Sequence, residues 1–366
     1  MFKRLVVLAL LAGACGYSFA QGKINELSMV VGTYTDTESH GIYSFRFNQK
    51  TGKCHLLDSL SIVNPSYLTI SKDRKFIYAV SELSNESASL NSIEFNERSG
   101  NMTLMNNQLT GGADPCYVDL GHNSVFTANY SGGSLSVFAV KEDGTLAPRM
   151  QLFDGHIGGP DNVRQAAPHV HCVKLMNDGV VLASDFSADQ ILAYRLNHED
   201  GRLQYIGVAA KMQKDSGPRH IIQSPDGQHV YVMSELSDAV SVFKYNAGRL
   251  EFMQSLPSNT LHARGGADIH IAPNGRCLYA SSRLKGDGIS IFKVLSDGKL
   301  ERIGYQLTGI HPRNFNITPN GKYLLVACRD SNVIEVYRIN RKTGMLTNTH
   351  KPIVLPHPVC IQFAHP

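Results

Sequence analysis

Two sets of polar and charged residues recur at matching places along this 366-residue chain. One is Ser66, Cys116, His169, Arg219, Ala267, Arg313 and Val359; the other is Tyr34, Glu82, Tyr130, Asp185, Glu235, Arg283 and Arg329. A guanidinium can grip a carboxylate or phosphate through paired hydrogen bonds, or stabilise charge developing on an oxygen. A carboxylate or a neutral imidazole can move a proton. His169 and His171 stand two apart, so on a strand they point to the same side. A metal would need a third ligand at telling spacing, and neither that nor a CxxC pair occurs. The same residues would also suit solvated strand ends or ion pairs between neighbouring elements, with Arg219 and Glu235 as one such pair.

A sevenfold repeat positions them. Asn64-Pro65, Asp114-Pro115, Ala167-Pro168, Gly217-Pro218, Gly265-Gly266, His311-Pro312 and His357-Pro358 each open a short apolar run, about 49 residues apart. Each run leads through a polar turn, such as Ser-Pro-Asp-Gly at 224 or Ala-Pro-Asn-Gly at 272, into a second run such as His-Val-Tyr-Val-Met at 229. Third runs follow at 42, 135, 240 and 289, and fourth runs follow Gly-Lys, Gly-Thr-Leu or Gly-Arg-Leu. Runs rich in β-branched and aromatic residues, bounded by Asn-Gly or Asp-Gly, are hairpins. Four antiparallel strands per repeat make a propeller blade. Residues 28–60 supply three strands without a first, and 357–363 supply a first strand alone, so one blade takes strands from both ends. The expectation is an all-β, seven-bladed propeller. Within an antiparallel hairpin the start of the first strand lies beside the end of the second, so both residue sets face one rim of the central channel.

Residues 1–20 read as a signal peptide: Lys3 and Arg4, an apolar run from Leu5 to Ala14, and Ser18-Phe19-Ala20 before the cut. A lipid anchor at Cys15 is the weaker alternative, because Ala12 stands where a lipid-attachment box prefers Leu. The expected location is the periplasm or outside the cell, with 21–366 as one domain. Without that segment the 35 basic residues fall to 33 against 31 acidic, which gives no electrostatic reason to bind nucleic acid or a membrane surface. Composition that is 42% hydrophobic, with 32 glycines and no linker-like stretch, suits a single β domain. The absence of Trp argues against WD40 blades. Five of the six remaining cysteines sit inside apolar strands, where a free thiol packs as a small hydrophobe.

Ala-Pro-His-Val-His at 167, Gly-Pro-Arg-His at 217, Ser-Glu-Leu at 234, Pro-Asn-Gly-Arg-Cys-Leu-Tyr-Ala-Ser-Ser-Arg at 273 and His-Pro-Arg-Asn-Phe at 311 together resemble the seven-bladed propeller lactonases. That family includes cycloisomerase-type 6-phosphogluconolactonases and carboxymuconate lactonizing enzymes. The resemblance implies a catalytic set of His169, His171, Arg219, Glu235 and Arg283. It departs at Asp185-Phe186-Ser187, where relatives carry Asp-Leu-Gly, at Asp268, where they carry Glu, and at Cys328-Arg329, where they carry Asn-Gln. Arg313, Asp268, Asp185, Tyr130, Glu82 and Arg329 are the expected substrate contacts. The implied activity is hydrolysis of a sugar-acid lactone without metal or other cofactor. Arg219 or Arg283 would stabilise the oxyanion, Glu235 or neutral His171 would accept the proton of water, and Arg283 or Arg313 would hold an anionic group. A lactone-forming cycloisomerase and a non-catalytic binding propeller are the alternatives.

Overall fold

The computed structural model describes residues 25–365; the expected signal segment and Cys15 lie outside them. Seven antiparallel sheets form the blades. Blade 1 pairs Pro358–Ala364 with Glu26–Thr33, followed by Gly41–Asn48 and Cys54–Ser61. Blades 2 to 7 begin on the innermost strands Leu68–Ile70, Pro115–Leu120, Val170–Leu175, Pro218–Gln223, Gly266–Ile271 and Pro312–Ile317. The C-terminal strand is thus the inner strand of the first blade, with Ser28 opposite Ala364 and Val31 opposite Ile361. No edge is left open at the junction. The outer edge of blade 7 is split into Leu346–Asn348 and Ile353–Val354.

Burial follows from the stacking of blades. Second strands such as Ser124–Asn129 and Val180–Asp185 are buried at every residue because each is covered on both faces by neighbouring blades. Such strands read as continuous apolar runs. The outermost strands, such as Met102–Leu109, are mostly half-buried or exposed, since one face meets water. A tyrosine in the second strand ties successive blades: Tyr78, Tyr231 and Tyr279 donate their hydroxyls to the carbonyls of Gly144, Gly298 and Gly344 in the outer turn of the next blade, at 3.0, 3.0 and 2.8 Å. Tyr231→Phe keeps the ring and strands that carbonyl, so its expected cost is about 1 kcal/mol. A lowered urea midpoint at unchanged slope checks this.

At five of the six prolines that mark the repeats, the preceding residue lets the chain turn into the channel. Asn64, Asp114, Gly217, His311 and His357 all have φ between 40° and 60°, a left-handed conformation that Gly, Asn, Asp and His tolerate best. One or two residues later the inner strand carries a β-bulge: the pairing register skips Cys116, His171, Arg219, Arg313 and Val359. A bulged residue leaves the ladder and is re-aimed, here toward the channel mouth.

Candidate active site

The bulge fixes the true register of the two rings. The backbone N–H of Glu82, Tyr130, Phe186, Glu235, Arg283 and Arg329 donates to Asn64, Asp114, His169, Gly217, Gly265 and His311, one bond per blade. In blade 4, therefore, His171 rather than His169 occupies the bulge position, and Phe186, just past the second strand, rather than Asp185 stands where Glu235 stands in blade 5. Pro168 does not open the blade 4 strand; it packs against Gly133.

Glu235 lies at the centre of the mouth. Its Oε2 accepts from Arg219 Nε at 3.0 Å and lies 3.1 Å from Arg283 Nη2; its Oε1 accepts from Arg164 Nη2 at 2.6 Å. Burial works against ionisation, but Arg283, Arg219 and Arg164 together hold the carboxyl down at about 2. Such a carboxylate is a fixed anion and a poor base. Arg283 is locked further by the carbonyls of Gly265 and Gly266, at 3.0 and 3.1 Å. Arg219, only 2% exposed, also donates through Nη1 to the Ala267 carbonyl at 2.6 Å and meets His220 Nε2 at 3.1 Å.

Beneath this ring His220 is wedged between Arg219 and Asp268, with Nδ1 2.7 Å from Asp268 Oδ1. Burial and the Arg219 charge bring its pKa to about 4, so the ring is neutral. A carboxylate accepts, so Nδ1 carries the proton and Nε2 accepts from Arg219. Asp268 is 2% exposed and also takes Asn314 Nδ2 at 2.6 Å and His270 Nε2 at 3.1 Å. Although burial opposes it, His270 and His220 keep the Asp268 carboxyl well below the usual range. Asp268, expected as a substrate contact, is placed one layer below the mouth as a support for the arginine.

One wall holds the imidazoles. His169 stacks flat on Tyr130, centroids 4.1 Å apart and planes 2° apart, and donates from Nδ1 to the Tyr130 carbonyl at 2.8 Å. That bond leaves the Nε2 lone pair without a protein partner among the described residues. Burial lowers the His169 pKa, outweighing the carbonyl bond. His171 sits deeper, its Nδ1 3.6 Å from Cys116 Sγ. Burial, then the charges of Arg219 and Arg313, hold it well below its ordinary value. Both rings are neutral near pH 7. The Cys116 thiol donates to the His171 carbonyl at 3.4 Å, and burial pushes its pKa well up.

On another side Tyr34 donates to Glu82 Oε1 at 2.9 Å, and Arg313 lies 5.3 Å over the Tyr34 ring and 3.8 Å from the same oxygen. No protein partner closer than that meets the Arg313 guanidinium among the described residues. Of the expected residues, the mouth brings together Tyr130, His169, His171, Arg219, Glu235, Arg283, Arg313 and Glu82. It does not gather the rest. Asp185 is fully buried and holds His156 at 2.8 Å and Gln190 at 2.7 Å, at the root of the 155–169 loop. Arg329 is bonded at the rim to its neighbour Asp330, at 2.6 and 3.0 Å. Arg164 and His220 were not among the expected residues. Arg164 lies in an unrepeated loop, and His220 is signalled only by its place beside Arg219.

Among the described residues no group of three His, Cys, Asp or Glu side chains is arranged to hold a metal ion. The six described cysteines are free thiols.

A closed ring of seven blades has a known counterpart: residues 28–363 match the family described as lactonase, seven-bladed β-propeller. The chain belongs to that family. A 6-phosphogluconolactonase of Formosa agariphila is 34% identical over 341 residues, 89% of this chain and 96% of the relative. A Bacteroides uniformis structure, provisionally assigned as a 6-phosphogluconolactonase, superposes with a TM-score of 0.91 at 52% identity, covering 93% and 99% of the two chains. The periplasmic gluconolactonase of Pseudomonas aeruginosa superposes with a TM-score of 0.87 at 29% identity, covering 93% and 99%. Blade packing alone does not call for three buried or half-buried arginines on one carboxylate.

Proposed function

We propose that the protein is an exported lactonase that opens a sugar-acid lactone by metal-independent acid-base chemistry at this mouth. The observation that carries the reading is the juxtaposition of an arginine cluster, pre-aligned by Glu235, with the neutral imidazole of His169, whose Nε2 lone pair is available. His169 Nε2 accepts a proton from water as the water oxygen bonds to the lactone carbonyl carbon. Negative charge gathers on the carbonyl oxygen, where the remaining Arg219 Nη2 donors stabilise it. The ring C–O bond then breaks and the imidazolium returns the proton to the departing alkoxide, giving the hydroxy acid. Glu235 takes no proton in this scheme; it holds the arginines in place.

Export is supported by the Lys3-Arg4 and apolar pattern of the first twenty residues and by the name of the Pseudomonas relative. Outside the cytosol the fitting substrate is an unphosphorylated aldonolactone. The test is a pH-stat assay on glucono-δ-lactone and its 6-phosphate. Failure to accelerate the opening of either one would remove the reading.

The pH dependence follows from the histidines. The base must be neutral, and a pKa below 6.5 keeps it neutral to lower pH than a free imidazole. The acid limb of kcat/KM is therefore expected below pH 6.5, with full activity at pH 7. His169→Gln should lose most of that limb and about a hundred- to ten-thousandfold of the rate. A limb above pH 7, or one unaltered by this substitution, would exclude His169 as the base.

A further inference from the structure

Between blades 3 and 4 the chain runs through residues 155–169 without regular structure, whereas 212–217 suffice between blades 4 and 5. Connections of this length inside a compact domain usually serve a purpose. This one is tightly built. His156 is bonded to Asp185 through both its backbone N–H and Nδ1, at 3.1 and 2.8 Å. Asp161 caps the N–H groups of Val163 and Arg164, both at 2.9 Å. Gln165 Nε2 donates to the Phe186 carbonyl at 3.0 Å and to Asp189 at 2.9 Å.

The loop delivers one side chain to the mouth. Arg164 lies 5.6 Å over the Phe186 ring, and its Nη2 reaches both Glu235 and the Tyr130 hydroxyl. Its other nitrogens meet no partner among the described residues. At 38% side-chain exposure it is the open member of the cluster, where Arg219 and Arg283 are at 2% and 6%. The buried pair has most of its donors committed to backbone carbonyls and Glu235; Arg164 still has a free edge facing solvent.

A second arginine holds the loop down from outside. Arg264, in the 258–265 connection between blades 5 and 6, donates from Nη2 to Asp161 at 2.6 Å. Its fork also takes Asp215, in the 212–217 connection, at 2.7 and 2.9 Å. Three connections are thereby joined across the face of the disc. Arg264 itself has φ 57°, an uncommon conformation for arginine.

We propose that Arg164 is a substrate-contacting residue that grips the anionic group of the ligand through its free guanidinium edge, and that Arg264 is its positioning residue, acting through Asp161. The inference rests on the lactonase reading only for the choice of ligand. Shared chemistry allows a carboxylate or a phosphate, so the test uses gluconate and 6-phosphogluconate in calorimetric titrations of the full chain, alongside lactone opening. Arg164→Ala should weaken binding by about tenfold or more, and Arg164→Lys should recover part of it, since charge returns without the fork. A larger loss for 6-phosphogluconate assigns Arg164 to the phosphate; an equal loss assigns it to the carboxylate. Arg264→Ala should raise KM with kcat nearly kept and speed hydrogen exchange within 155–169, with Arg264→Lys restoring both in part. Wild-type affinity in Arg164→Ala overturns the proposal, as does a wild-type chain that binds neither anion. Unchanged exchange in Arg264→Ala removes the positioning role. Binding without lactone opening would instead defeat the lactonase reading while leaving the arginines decided by the titrations.

Discussion

Glu235→Gln is expected to cost about 3–5 kcal/mol of stability and to abolish most lactone opening, the combined loss that follows when one partner of a buried ionic cluster is removed. The amide keeps the size of the side chain but not the charge that Arg219, Arg283 and Arg164 share. Arg219 and Arg283 would then face each other as uncompensated cations, each still held to backbone carbonyls that prevent retreat. The effect has a pH signature in the wild type. With its pKa held at about 2 in the folded chain against an ordinary 4.5, the Glu235 carboxylate contributes stability that is fully present above pH 4.5 and is lost as pH falls toward 2. Urea titrations at pH 7 and pH 3.5 should therefore show a smaller gap between mutant and wild type at the lower pH. A mutant with the wild-type urea midpoint and rate would show that the carboxylate does not organise the arginines.

Arg219→Ala should lower kcat by about a hundred- to a thousandfold, the usual price of removing a fixed oxyanion donor. This arginine is held by Glu235, Ala267 and His220 with a single nitrogen left over, so its charge reaches the mouth without any reorganisation during reaction. Arg219→Lys should recover little, because an ammonium cannot meet those three partners and the substrate in one plane. Thermal melting run in parallel separates lost chemistry from lost fold. A kcat within a fewfold of wild type in a folded Arg219→Ala chain would move the oxyanion role elsewhere.

Blade number, strand order and the pairing of the two ends are all legible in the sequence, because each depends on local alternation and turn chemistry that repeats seven times. The mouth is less so. In blade 4 the proline does not mark the strand: Ala167-Pro168 passes for its start although the strand enters two residues later, so His169 is read where His171 belongs. A separate slip of one residue, at the end of the second strand, sets Asp185 in place of Phe186. Arg164 has no counterpart in other blades, which hides it from any reading by repetition; the unusual length of its connection is the one sign it leaves. Asp268 looks like a mouth residue because alternation cannot separate two layers of one channel, and only its hydrogen bonds to His220 and Asn314 of the neighbouring blades show that it belongs to the lower one.

Joining Pro358–Ala364 to Glu26–Thr33 also governs when the molecule can finish assembling. The first blade keeps a vacant inner place until Pro358–Ala364 docks beside Glu26–Thr33. Contacts between such distant parts of a chain form slowly. A chain cut before Pro358 would expose a ready strand edge to its neighbours, with aggregation as the consequence.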